Sequence, residues 1–158
     1  MPSASTTSPG AFLAIFWGGL ACGVLDIAQA FIAWGFMKIT PVMILHHIAS
    51  GVLGRKAAQG GAATAALGLM LHFVIAFSAA AIYYLASRRI TFMTEHSVLS
   101  GMLYGEAVFL FMFFVVSPLS GAGKSPFTKA TLVTGPIGHM FLVGLPIALA
   151  VKRWAPLK

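Results

Sequence analysis

Charge is what this sequence lacks. Only 8% of its 158 residues are Asp, Glu, Lys or Arg, against roughly a quarter in soluble domains. Three acidic residues leave almost nothing for two-carboxylate chemistry, and G-x-S-x-G, H-E-x-x-H and C-x-x-C are all missing. Hydrolytic and dithiol enzyme classes therefore find no support, and the chain reads as non-enzymatic. The single cysteine, Cys22, excludes an intrachain disulfide and, inside an apolar stretch, reads as a small buried thiol. The opening MPSASTTSPG holds no Lys or Arg, so the positive region of a secretory signal is missing. A disordered tail over residues 1–10 followed by a retained helix is expected.

Apolar residues fill the space that charge leaves. They make up 59% of the chain, and the mean hydropathy is +0.93. No Asp, Glu, Lys or Arg occurs between Lys56 and Arg88 or between Lys129 and Lys152; only Asp26 interrupts the stretch before Lys38, and only Glu106 that between Glu95 and Lys124. Each run reaches the roughly 20 residues that cross a ~30 Å hydrocarbon core. The pattern predicts an all-α bundle of four transmembrane helices over 11–37, 61–87, 98–119 and 132–151 in a single domain, 11–158. Each helix carries one ionisable residue: Asp26, His72, Glu106 and His139. Such a group is costly in hydrocarbon and usually faces a bundle interior or a water-filled cavity, so these four are the candidate site.

Helical spacing orients them. On the first helix Gly19, Cys22, Gly23, Asp26, Gln29, Ala30 and Ala33 form a small and polar stripe, opposite Leu20, Val24, Ile27, Phe31 and Trp34. That is the pattern of close helix packing in lipid, and it points Asp26 and Gln29 inward. On the second, Gly61, Ala65, Gly68, His72, Ala76 and Ala79 share a face that ends on Tyr83, whose ring suits the headgroup level. On the third, Glu106 shares its face with Met102, Leu103, Phe109, Leu110 and Phe113, and is the least secure candidate. Gly101 and Gly105 lie off that face and are expected to be exposed for contact with another subunit, so a homodimer or a place in a larger membrane complex is expected. Pro146 inside the fourth helix predicts a kink near Leu142.

Between the first two spans, Thr40-Pro41 is a good helix start. The segment 41–54 sets Leu45, Ile48, Ala49, Val52 and Leu53 on one arc and His46, His47, Ser50 and Gly54 on another. This describes an amphipathic helix lying in the interface, with a re-entrant hairpin as the alternative. In the last loop, Gly121-Ala122-Gly123-Lys124-Ser125 superficially resembles a phosphate-binding loop. The required first glycine falls at Pro118, no strand precedes it and Pro126 breaks the helix that should follow, so that reading is rejected.

A weak internal repeat emerges. Gly19/Gly23 precede Asp26 as Gly101/Gly105 precede Glu106, and Gly68 precedes His72 as Gly135 precedes His139, the order that two tandem hairpins would give. Measured from the face holding the 1–2 and 3–4 loops, His139 lies about 10 Å deep, Asp26 about 12 Å, His72 about 16 Å and Glu106 about 21 Å. Asp26, His72 and His139 can thus occupy one layer, with Asp26 meeting a histidine directly or through water. The leading functional reading is a membrane module or complex subunit with that layer as a buried packing element, each interhelical bond contributing about 0.6–2 kcal/mol. A small proton- or cation-coupled transporter is the alternative. A bis-histidine b-type haem on His72 and His139, with the glycines admitting the porphyrin, is a further one; a transition metal on Asp26, His72 and His139 is another.

The formal charge of +7 lies mostly outside the apolar runs, which fits lipid headgroups and not nucleic acid. Arg88, Arg89, Lys152, Arg153 and Lys158 share the side of the termini; Lys38, Arg55, Lys56, Lys124 and Lys129 share the other. The positive-inside count is a tie, and the dibasic pairs at the helix ends lean the termini toward the cytoplasm.

From Ala49 the chain reads ASGVLG, then GG, TAALGLMLHFVIAFSAAAIYYLASRR, SGMLYG, VVSPLS and GHMFLVGLPIALA. These blocks resemble a group of small uncharacterised bacterial inner-membrane proteins over roughly the last two thirds of the chain. The resemblance implies a bacterial four-helix inner-membrane protein and brings no activity. His72 and His139 fall inside its blocks, whereas Glu106 replaces an apolar residue and Phe113 an asparagine.

Overall fold

The computed structural model describes residues 9–123 and 129–155. Among them there is no strand. Four helices are long and apolar enough to cross a membrane: Pro9–Gly35, Gly61–Ser87, Ser97–Leu119 and Leu132–Trp154. Apart from Pro9 and Gly10, which begin the first helix, the expected N-terminal tail lies outside the described residues.

The first helix, α1 (Pro9–Gly35), and α3 (Gly61–Ser87) form an antiparallel hairpin. Gly19 packs on Phe77 and Gly23 on Phe73, so residue numbers rise on one helix as they fall on the other. Between them α2 (Pro41–Leu53) starts as expected: Thr40 caps it by accepting a hydrogen bond from Met43 N at 3.3 Å, with Pro41 in the first turn. A 3₁₀ turn, Gly54–Gln59, joins it to α3. The apolar arc of α2 is only partly covered. Ala49 is buried and the Leu45 backbone lies against Gly68, about 10 Å along α3 from its start, while Val52 and Leu53 are exposed. His46 fixes the docking by donating from Nε2 to the Gly61 carbonyl at 2.8 Å.

A short helix, α4 (Phe92–Glu95), leads into the third span. That span is α5 (Ser97–Phe111), a π-helical segment (Met112–Val116) and α6 (Ser117–Leu119). The fourth repeats the plan as α7 (Lys129–Gly138), a π segment (His139–Gly144) and α8 (Leu145–Trp154). Each π segment ends two residues before a proline, Pro118 or Pro146. Proline has no N–H to donate to the carbonyl four residues back, and its ring crowds that carbonyl. The chain answers with a wider turn: Ser117 N bonds the Met112 carbonyl and Leu145 N that of Met140, five residues back. The kink expected near Leu142 is thus a π segment.

Small residues make the contacts. Gly101 meets Ala148 and the Gly144 backbone, and Gly105 meets the backbones of His139 and Met140. Both glycines are buried within the chain, which corrects the expectation that they are exposed for a second subunit. A further stripe, Ala11, Ala14 and Gly18, is buried, with Gly18 against Ile147 and Ala150 of α8. Because α1 packs on two neighbours, Ile27 is buried too, against its place on the bulky face. Large apolar side chains point outward, Phe36 and Leu119 being 87% and 83% exposed. In lipid they lose nothing there, since acyl chains are as apolar as a protein core.

Tyr83 overturns another expectation. It is fully enclosed, its hydroxyl 2.9 Å from the Met93 carbonyl and 2.8 Å from Ser100 Oγ. Tyr104 stacks edge-on against it, 5.0 Å between centroids, and donates to the Ala79 carbonyl at 2.8 Å. Beside them Arg88 donates to the Ala155 carbonyl and covers the Tyr84 ring at 5.1 Å, tying the ends of α3 and α8.

A Cβ at position 105 meets backbone that cannot swing aside. Gly105→Ala is expected to destabilise the fold by about 1–3 kcal/mol, the scale of overpacking, read as a lower thermal midpoint in detergent. Gly35→Ala, with nothing within 4 Å, should leave the midpoint unchanged.

Candidate functional site

The helix order creates a gap. α1 packs on α3 and on the fourth span, and the fourth span packs on the third, but α3 and the third span do not pack backbone to backbone. Tyr83 and Tyr104 bridge them only near the end that carries Ser87 and Ser97. Toward the opposite end the gap is a cavity of about 400 Å³. Ala79, whose carbonyl holds Tyr104, lies at its floor; Gly51 and Val52 of α2, with Ser120 and Ala122 after the third span, surround its mouth. Gly121 N donates to the Gly51 carbonyl at 2.9 Å, joining the two sides of the rim.

Asp26, His72 and His139 all line this cavity, and His47 does so at the mouth. The three are half-buried, so they stand on the wall of an open cavity and do not form a sealed layer. Nor do they touch. His72 donates from Nε2 to the Gly23 carbonyl at 2.8 Å, a bond from α3 to α1. His139 donates from Nδ1 to the Gly135 carbonyl at 2.9 Å, within its own helix. Asp26 is hydrogen-bonded directly to neither histidine; each ring spends one nitrogen on a backbone carbonyl and keeps the other. Asp26 makes no hydrogen bond or ion pair among the described residues.

The partner of each ring fixes its tautomer, since a carbonyl only accepts. In neutral His139 the proton sits on Nδ1, which leaves the Nε2 lone pair as a base without a hydrogen bond among the described residues. The third span holds this ring in place: Gly105 seats the His139 backbone, and Phe109 meets the imidazole edge-on at 5.4 Å between centroids.

Glu106 is elsewhere. It lines no part of the cavity, and its Oε2 is enclosed without a hydrogen-bond partner among the described residues. Gln29 lies against Gly138 of the fourth span and lines a second cavity of about 220 Å³ beside the first, which Asp26 and His139 also line. The glycines before the histidines are filled from within. The Leu45 backbone occupies the space at Gly68, and the Phe109 ring that at Gly135. With His72 Nε2 engaged as well, the residues do not fit a bis-histidine haem. No group of three His, Cys, Asp or Glu able to hold a metal ion occurs among the described residues.

Sequence reasoning missed the wall that α2 supplies and the inward positions of Met112, Ser117 and Trp34. One signal was present: a proline four residues beyond Phe114 and another four beyond Leu142 mark where helical spacing stops applying. No curated protein and no solved structure is significantly similar to the chain. A family model, described as conserved membrane protein YqhR, matches residues 6–151, and the chain belongs to that family of membrane proteins.

Proposed function

We propose that this protein is a non-enzymatic membrane module in which Asp26 and His139 take up and release a proton or a cation, as in a small coupled transporter. One observation carries the reading: the Asp26 carboxylate borders both cavities without a hydrogen bond or ion pair among the described residues. A carboxylate in apolar surroundings is costly unless it is protonated or paired. A group serving only to hold helices together would be spent on a neighbour, as His72 is on Gly23. His72 is therefore assigned to packing, and His139, with its free Nε2, to exchange with Asp26. The cavity opens on the face of the 1–2 and 3–4 loops. With both termini in the cytoplasm of a bacterial cell, the orientation proposed from the dibasic helix ends, it opens outward across the inner membrane.

The scarcity of acids makes the test clean. The protein has three acidic side chains, so the infrared carboxyl band of the reconstituted chain can be assigned by single replacements. A pH-dependent band that disappears in Asp26→Asn and shifts its midpoint in His139→Gln is expected. Identical titrations of the parent and Asp26→Asn proteins would sink the reading. Orientation is a separate test: reporter fusions at the C-terminus should signal from the cytoplasm, and a single clear periplasmic signal would reverse the assignment.

A further inference from the structure

The two cavities differ in their walls. The larger is lined mainly by aliphatic side chains, with Asp26, three histidines and two serines among them, whereas the smaller brings Trp34, Phe109 and Phe113 together with Asp26. Among the described residues no Lys or Arg lines either one. They meet at Asp26 and His139 and adjoin along Met112 and Ser117. Phe109 and Phe113 stack at 5.6 Å, and the absence of a side chain at Gly135 gives the Phe109 ring its place.

We infer that the two cavities are two lobes of one binding site for an amphiphilic quaternary ammonium ion, its head beside Asp26 among the three aromatic rings and its apolar tail in the larger lobe. Aromatic rings attract a cation through their negative faces and are the usual receptors for quaternary ammonium groups, which cannot be held by hydrogen bonds. A carboxylate with no Lys or Arg among the described lining residues gives the lobes a negative character, which selects cations and rejects anions. A volume of about 400 Å³ for the tail lobe lies in the range of small-molecule sites.

The inference rests on Asp26 being an ion-binding group. The test is calorimetric titration of the full chain in phosphatidylglycerol nanodiscs with octyltrimethylammonium. Saturable binding is expected, with octanesulfonate inert. Asp26→Asn and Trp34→Leu should each weaken binding roughly tenfold. Lysophosphatidylcholine, which carries the same head on a phosphate, should not compete, because no Lys or Arg among the described lining residues receives the phosphate; competition would show a lipid headgroup to be the occupant and overturn the assignment to a free cation. Equal binding of octanesulfonate, or an unchanged affinity in Asp26→Asn, would overturn the site. Should Asp26→Asn fail to fold, judged by circular dichroism and elution, Trp34→Leu and Phe113→Leu decide it, an unchanged affinity in both counting against the site. Binding of the ammonium probe with no Asp26 carboxyl titration keeps this ligand class and removes the proton-exchange reading; titration without binding removes the ligand class alone.

Discussion

The contact on which the rest of the structure depends is backbone against backbone, where Gly101 and Gly105 meet Gly144 and the His139 peptide. Helices in lipid gain nothing by hiding leucines from one another, so association rests on van der Waals packing and on polar bonds between helices. Close approach supplies the first and requires residues without side chains. α1 and α3 use the cheaper version, glycine against aromatic ring, at Gly19 with Phe77 and Gly23 with Phe73. The two hairpins then join through Ala14 and Gly18 of α1 on α8. α3 and the third span each have a neighbour already, and the space between them is the cavity. The site is what the packing leaves over.

Prolines decide what looks into that space. Pro118 and Pro146 each force a π segment onto the turn before, and an extra residue in a turn rotates everything beyond it relative to regular helical spacing. Met112 and His139, the first residues of the two segments, both line the cavity. His139 is held twice over, by Gly105 under its backbone and by Phe109 against its ring. The imidazole that faces Asp26's cavity is thus placed by a glycine on the neighbouring helix and a proline seven residues downstream.

The periodic parts of this architecture were legible in the sequence. The bounds of α3 follow from its glycine start and its Arg-Arg stop, and Thr40-Pro41 marks the start of α2. Rise per residue put Asp26, His72 and His139 at comparable depths, and the three line one cavity. What was not legible depends on which helix sits beside which. A stripe of glycines reads the same whether its partner is the next helix or another subunit, and so Gly101 and Gly105 were assigned outward. Ile27 and Trp34 were assigned to lipid because a single packing face was assumed for α1, which has more than one. Tyr83 looked interfacial because its partners, Met93 and Ser100, lie on the far side of a turn.

Asp26 also bears on how the module acts. Of the basic residues of the mouth face, Lys38, Arg55 and Lys56 are exposed, and their field is screened over roughly 8 Å at physiological ionic strength. Inside the cavity no Lys or Arg occurs among the described lining residues, so Asp26 is the one acidic side chain there, with three histidines. On the proposed reading a proton and an organic cation compete for that carboxylate. Competition is itself a coupling, because whatever raises the occupancy of one lowers the apparent affinity of the other by the same factor. It requires no pathway through the protein. Directional transport asks for more, a second state in which Asp26 is reached from the other face. The floor that closes that face is made of few bonds: the Tyr104 hydroxyl on the Ala79 carbonyl and the Tyr83 hydroxyl with Ser100 and Met93. Both tyrosines bridge α3 and the region of α5, neighbouring spans that do not pack backbone to backbone. Opening there would cost side-chain bonds and leave the glycine contacts intact, which makes the tyrosine floor, and not the glycine seam, the place where a second state can form.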